Sequence, residues 1–102
     1  MSEKPVRLQL SRKRGFNLQA LSLATNGLPA VNVARPGRHG NGFRVGILGI
    51  RTQAEAVSLF RGAHTPLPRW QANELRGNNL ACWCGLGAPC HADALLDLAN
   101  QP

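Results

Sequence analysis

Acidic residues, aromatic residues and long apolar runs are all scarce in this sequence of 102 residues. Five Asp and Glu stand against twelve Lys and Arg, so few carboxylates are left to act as a general base. The five aromatic residues include no tyrosine, so a base-stacking platform for nucleic acid is poorly supplied. No apolar run reaches the roughly 20 residues that a membrane-spanning helix needs. These absences argue against a membrane protein and rank nucleic-acid binding behind other functions.

The charge is unevenly distributed along the chain. Residues 1–51 carry a net charge of +8 and residues 52–102 a net charge of −1, with histidine counted as neutral. The basic half predicts a partner that bears phosphate groups. A basic soluble surface without a dedicated partner is the alternative interpretation.

Length, N-terminus and cysteine content bear on organisation and compartment. A chain this short builds one core, so we expect a single domain whose modest stability leaves room for a homo-oligomer. The stretch "MSEKPVRLQL" lacks the apolar core of a signal peptide. Three cysteines are an odd number, which fits reduced thiols better than a disulfide framework. We therefore expect a cytoplasmic protein.

Hydrophobic patterns predict an α/β fold. The predicted strands cover 5–11, 30–34 and 79–84. Between the first two, turn chemistry in "TNGLP" predicts an irregular connection, with at most a short strand or turn in "LQALSL". The predicted helices cover 53–62, 69–77 and the segment after the last cysteine, the first beginning with a Thr52–Glu55 capping box. This order indicates a small Rossmann-like sheet of about three to four strands, layered with helices.

Two loops that follow strands carry the candidate binding residues. The stretch "RPGRHGNGFRVG" holds four glycines and three arginines, which lets backbone amides approach a ligand while cations surround it. Ligands of α/β sheets collect beyond the carboxyl ends of strands, so we expect this loop and "GLGAPCH" to wall one anion-binding pocket. The predicted ligand-binding residues are Arg12, Arg35, Arg38, His39, Gly40, Asn41, Gly42, Phe43, Cys82, Cys84, Cys90 and His91.

All three cysteines lie within nine positions and are followed by a histidine. Cys82 and Cys84 are two apart on a predicted strand, so their side chains point to the same face. Cys90 begins a helix, where unpaired amides favour the thiolate, and His91 can exchange protons near neutral pH. If the protein is an enzyme, the predicted catalytic residues are Cys90, His91 and Asp93.

Interpretations of the same cluster without catalysis remain open. The helix start can bind an anion through its amides, with the thiol only lining the pocket, or it can be a cap without chemistry. Cys82 and Cys84 can be small buried apolar residues. A zinc site usually separates paired cysteines by two or more residues, a spacing that this sequence lacks. The sequence therefore predicts neither a metal nor another cofactor.

Three stretches of the chain match motifs of a known family: "LSRKRGF" at 10–16, "VNVARPGRHGNGFRVG" at 31–46 and "LRGNNLACWCGLGAPCHADALLDLAN" at 75–100. On these motifs the chain resembles an uncharacterised family of phage and bacterial proteins, catalogued as domain of unknown function 4326. His39 and Gly42 replace the tryptophan and proline of the family's W-G-N-P-F. The C-H pair at a strand-to-helix turn also looks like that of small Rossmann-like families suspected of handling nucleotides.

We therefore expect a module that binds a nucleotide-derived small molecule, such as an ADP-ribose-like or cyclic nucleotide signal. If a phage encodes it, the protein would sequester a host defence signal in the host cytosol. The first alternative is an enzyme that acts on the ribosyl or phosphoryl part of a nucleotide through Cys90 and His91. A zinc-binding or nucleic-acid-binding module is the other alternative.

Overall fold

Three parallel strands form a small sheet with helices packed around it. The computed structural model describes residues 4–35 and 37–101. The strands are β1 (Arg7–Gln9), β2 (Ala30–Asn32) and β3 (Asn79–Cys82). The helices in this part of the chain are α1 (Leu18–Asn26), α2 (Gln53–Ala63), α3 (Arg69–Leu75) and α4 (His91–Ala99). The predicted α/β class with a small sheet is confirmed.

β3 is the central strand, and it runs parallel to β1 on one side and β2 on the other. All four of its residues are buried, as expected for a parallel strand that is covered on both faces. Because the three strands run in the same direction, the loops that follow them meet at one edge of the sheet. We call this the carboxyl edge.

The helices cover the sheet from two sides. The chain crosses from β1 over to β2 and then returns to β3, so the two connections run in opposite directions. By the right-handed crossover rule for parallel strands, we expect α1 on the face opposite to α2 and α3. α4 packs on β3 and β1 and also contacts α2 and α3. The largest fully buried apolar side chains are Phe60, Leu75, Leu80, Leu95 and Val33.

Residues 18–26 form a helix, which corrects the prediction of an irregular connection with a short strand or turn. The Asn17 side chain caps the first turn, and Gly27 ends the helix in the left-handed conformation, with φ 78°. The inner face of α1 is polar, since Ser22 is buried while Leu23 is exposed. The apolar periodicity that marks a helix in a sequence is therefore missing here.

The other predicted elements are present, with shorter strands. The Thr52 side chain accepts a hydrogen bond from the Glu55 amide at 3.1 Å, which confirms the capping box at the start of α2. The first predicted strand shrinks to three residues, and the third stops at Cys82 rather than at residue 84. Within residues 4–35 and 37–101, no helix combines the length and apolar character that crossing a membrane requires.

Candidate functional site

Three sulfur atoms and an imidazole gather where β3 ends and α4 begins. We call Cys82, Cys84, Cys90 and His91 the thiol–imidazole cluster. The sulfurs of Cys82 and Cys84 are 3.8 Å apart, and the Cys90 sulfur is 3.9 Å from Nδ1 of His91. The ligating atoms of Cys82, Cys90 and His91 all lie within 4.8 Å of one another. The cysteines are free thiols, and the predicted shared side of Cys82 and Cys84 is consistent with this geometry.

The imidazole of His91 has a fixed orientation. Its Nε2 lies 2.7 Å from the carbonyl oxygen of Val33, the residue that follows β2. A carbonyl only accepts, so Nε2 donates its hydrogen and, in the neutral ring, Nδ1 keeps its lone pair toward the Cys90 sulfur. Phe60 packs edge-on against the ring, with centroids 5.2 Å apart. The hydrogen bond to Val33 and the contact with Phe60 thus fix the orientation of the His91 ring.

Contacts within the cluster shift the pKa values of Cys82 and Cys90 in opposite directions. A hydrogen bond with the Cys82 thiol lowers the pKa of Cys90, and contacts with His91 and the Ala92 amide act in the same direction. The shared hydrogen bond with Cys90 and burial raise the pKa of Cys82. Cys90 and His91 are only 1% and 3% exposed. Cys90, the thiol whose pKa is lowered, is therefore buried away from solvent.

Arg7 is a site residue that sequence reasoning missed. Its side chain is 6% exposed, and Nε lies 3.3 Å from the carboxylate of Asp93. Nη2 donates to three carbonyls of the loop that joins β3 to α4, those of Gly85, Leu86 and Ala88. Nη1 is buried and has no hydrogen-bond partner among the described residues. A cation on a short alternating strand is typical of a solvent-facing position, so nothing in the sequence marked it.

Trp83 and Arg12 connect two loops of the carboxyl edge. The Arg12 guanidinium carbon lies 4.8 Å from the centroid of the Trp83 ring, which is 44% exposed. Directly after Arg12, residues 13–16 form a turn that is closed by a hydrogen bond from the Phe16 amide to the Lys13 carbonyl at 3.0 Å. Trp83 lies between two cysteines that point inward, so its outward position was available from strand alternation.

In the glycine-rich loop, Arg38 and His39 bind α3. Both hydrogen-bond to the carboxylate of Glu74, and His39 Nε2 lies 2.8 Å from Glu74 Oε1. The other ring nitrogen of His39 accepts a hydrogen bond from Gln71 Nε2 at 3.2 Å. The bonds from Arg38 and His39 lower the pKa of Glu74 to about 2. Both ring nitrogens of this buried histidine are engaged within the fold.

The rest of this loop is folded on itself. Arg35 donates to the carbonyl of Asn41 at 3.2 Å, and the buried Asn41 side chain accepts from the amide of Phe43 at 2.8 Å. A Cβ at Gly40 would lie 2.8 Å from Cγ of Arg35, so this position requires glycine. Gly42 is exposed and has open space around it.

The predicted site residues thus fall into two contact networks. Arg12 and the thiol–imidazole cluster lie near the ends of β1 and β3, whereas the described part of the glycine-rich loop, residues 35 and 37–43, contacts itself, α2 and α3. Over the described ranges, no hydrogen bond or ion pair joins residues 35–43 to the cluster. An open cavity of about 430 Å³ lies elsewhere, between residues 4–5 and α4, and its wall includes Asp93 and Asp97. Two carboxylates suit an anionic ligand poorly.

Comparison with known protein families identifies a match over most of the chain. A protein-family model described as "Domain of unknown function (DUF4326)" matches residues 16–101. The matched range covers the glycine-rich loop and the thiol–imidazole cluster. It begins after β1 and Arg12, which lie outside the match. The comparisons with curated proteins and with solved structures each found no match.

Proposed function

The chain belongs to the DUF4326 family, and we propose that it binds a nucleotide-derived small molecule at the carboxyl edge of a Rossmann-like sheet. The observation that carries this proposal is the pairing of Arg12 with the half-exposed ring of Trp83 across two loops of that edge. Ligands of parallel α/β sheets bind outside the carboxyl ends of the strands, which is where this pair lies.

The pair offers two kinds of recognition at one place. The face of an indole ring stacks on a nucleobase, and such contacts are worth about 1–3 kcal/mol per base. A guanidinium binds phosphate through two parallel hydrogen bonds. Arg12 is exposed, so it can exchange its contact with Trp83 for a ligand phosphate.

The charges around the pair favour an anion. Lys13 and Arg14 are exposed in the same loop as Arg12, and residues 10–17 and 83–90 contain no acidic side chain. Asp93, the nearest acidic residue along the chain, lies 3.3 Å from Arg7 and is partly neutralised by it. A phosphorylated ligand therefore meets a cationic surface.

Burial favours holding the ligand over converting it. Of the three predicted catalytic residues, Asp93 has an exposed side chain, but Cys90 and His91 are 1% and 3% exposed, so a nucleotide bound on the surface does not reach these two. We therefore expect the ligand to be released intact, as sequestration of a signal requires. A phage-encoded protein of this kind would lower the free concentration of a host defence signal.

Calorimetric titration with ADP-ribose, cyclic nucleotides and inorganic phosphate tests the proposal. We expect a nucleotide to bind, and Arg12→Ala to weaken the affinity about tenfold, which corresponds to ~1.4 kcal/mol. Arg51→Ala, an exposed arginine outside the two loops, is the matched control and should leave the affinity unchanged.

Tryptophan fluorescence locates the binding surface. Ligand-induced quenching should persist in Trp70→Phe and disappear in Trp83→Phe, because only the second ring lies at the proposed site. Chromatography of the released ligand should return it unchanged. Absence of binding by every phosphorylated compound would refute the proposal, and a converted ligand would favour the enzyme alternative.

A further inference from the structure

We propose that Cys82, Cys84, Cys90 and His91 bind one Zn²⁺ ion as a tetrahedral Cys₃His site. This metal site is separate from the proposed nucleotide-binding surface and does not depend on it. The ion belongs to the class of thiophilic divalent cations that thiolate and imidazole ligands select.

The first argument is the distances between the ligating atoms. Zinc bonds of about 2.3 Å to sulfur and about 2.0 Å to nitrogen place tetrahedral ligands roughly 3.5–3.8 Å apart. The sulfurs of Cys82 and Cys84 are 3.8 Å apart, and Cys90 Sγ is 3.9 Å from His91 Nδ1. The remaining distances among Cys82, Cys90 and His91 are all under 4.8 Å. Three of the proposed ligands therefore already lie close to one another, and Cys84 reaches this group through its contact with Cys82.

The second argument is the orientation of the histidine. Metal-bound histidines regularly donate their second ring N–H to a carboxylate or a backbone carbonyl, which fixes the tautomer. His91 does so through Nε2, which lies 2.7 Å from the Val33 carbonyl. Its Nδ1 lone pair is consequently directed into the group of sulfurs.

The third argument is the buried guanidinium of Arg7. Three thiolates and one Zn²⁺ leave a net charge of −1, which a buried cation offsets. Arg7 lies beside the loop between Cys84 and Cys90, where its Nη2 donates to the carbonyls of Gly85, Leu86 and Ala88. Nη1 of Arg7 is buried without a partner in the described part of the chain, and buried polar atoms rarely stay unpaired. The buried charge of this guanidinium would therefore offset the negative charge of a bound Cys₃His zinc.

The local fold explains how an unusual sequence spacing yields four converging ligands. Cys82 ends a strand, so the residue two positions later returns to the same side. Cys90 has extended backbone angles, φ −151° and ψ 141°, whereas His91 is already helical, so two adjacent side chains can both turn toward β3. The separation of two or more residues typical of zinc knuckles is a property of those turns and is not required here.

Four protein ligands fill a tetrahedral zinc and leave no position for substrate, which makes the site structural. Binding releases the thiol protons to solvent and crosslinks the end of β3 to the start of α4. The loop between them carries Trp83, so the metal would also fix the position of that ring.

The experiment measures metal directly in protein purified under reducing conditions without added chelator. We expect elemental analysis to find one zinc per chain, and Co²⁺ exchanged into the site to give the intense visible absorption of a tetrahedral thiolate complex. His91→Ala should weaken cobalt affinity at least tenfold, whereas His64→Ala, a histidine outside the cluster, should leave it unchanged. Cys84→Ser should shift the cobalt spectrum because one thiolate is lost.

Two results would overturn the site. One is wild-type protein that is folded and reduced, yet contains no zinc and gives no tetrahedral cobalt spectrum. The other is a cobalt spectrum that His91→Ala leaves unaltered. The wild-type measurement decides the question even if a variant fails to fold. Zinc without nucleotide binding would refute only the proposed function, and nucleotide binding without zinc would refute only the metal site.

Discussion

Glu74 is the residue that ties the glycine-rich loop to α3, and its ionisation should set the acid stability of the protein. Bonds from Arg38 and His39 hold the pKa of this carboxyl at about 2, below the ordinary value of 4.5. A carboxyl with a depressed pKa in the folded state stabilises the fold above its unfolded pKa. That contribution should be lost as the pH falls from about 4.5 toward 2.

Urea unfolding of the wild type and Glu74→Gln across this pH range measures the effect. The wild type should lose stability with falling pH more steeply than the variant, which cannot ionise at this position. Arg38→Ala should reduce the slope as well, because it removes the main cause of the depressed pKa. Equal slopes in the wild type and Glu74→Gln would contradict the assignment.

Leu48 is a second residue with a clear expected effect. Its φ is 50°, and the other described residues with a positive φ are glycines. The Leu48 side chain is 84% exposed. The left-handed conformation costs an L-residue about 1–2 kcal/mol, and glycine avoids most of this despite its greater freedom in the unfolded state. Leu48→Gly should therefore raise the free energy of unfolding by roughly 0.5–1 kcal/mol.

Leu86→Gly is the matched control for that change. Leu86 is also an exposed loop leucine, but it is not among the described residues with positive φ. Here glycine only adds entropy to the unfolded chain, so stability should be unchanged or slightly lower. Denaturation midpoints of the two variants compare these outcomes, and a loss of stability in Leu48→Gly would contradict the strain.

At the scale of elements, polar side chains attach α1 to the sheet. The amide groups of Asn26 and Asn79 bond reciprocally at 2.8 and 2.9 Å, and Asn79 also donates to Ser22 Oγ at 2.8 Å. Asn79 Oδ1 accepts from the Val6 amide at 2.9 Å, which links the start of β3 to the segment before β1. The fully buried side chain of Asn79 thus connects β3 to α1 and to the segment before β1.

Removing this amide should destabilise the whole fold. In Asn79→Ala, buried donors and acceptors on α1 and before β1 lose their partner, and each such group costs about 1–3 kcal/mol. We expect the free energy of unfolding to fall by about 2 kcal/mol or more. Asn73→Ala, an exposed position in α3, is the control and should change stability little. A similar effect of both substitutions would show that the network is unimportant.

The same network explains which elements the sequence could predict. α2 was predictable because a cap and an apolar face appear together, at Thr52, Ala56 and Phe60, and α4 was predictable from its apolar face. α1 buries Ser22 while Leu21 and Leu23 are exposed, so only the caps Asn17 and Gly27 marked it. β1 and β2 were overestimated in length because apolar residues continue past the last paired residue.

At the scale of the whole molecule, the candidate site also contains residues whose positions the sequence predicts and residues whose partners it does not. The adjacency of Cys82 and Cys84 follows from strand alternation, and the place of Cys90 follows from its position before an apolar helix. The partners of Arg7, Arg38 and His39 come from residues 32 to 86 positions away along the chain. Long-range pairing of this kind leaves no periodic signal in one sequence, which is why the contacts of the glycine-rich loop with α3 could not be predicted.

Metal removal should affect the entire fold because the thiol–imidazole cluster joins the central strand to the helix that contacts α2 and α3. A domain of this size has a modest core, so a single crosslink is a large share of its stability. A ligand present at 100 times its dissociation constant stabilises the folded state by about 2.7 kcal/mol. For about 100 residues this corresponds to a melting-temperature shift of roughly 10 °C or more.

Calorimetric melting of the reduced protein with and without a zinc chelator tests this expectation. The melting temperature should fall with the chelator and recover when zinc is returned, whereas the same chelator preloaded with zinc should have no effect. Cys82→Ser should begin with the lower melting temperature and respond little to the chelator, because it has already lost a ligand. An unchanged wild-type melting temperature after verified zinc removal would mean that packing alone holds β3 to α4.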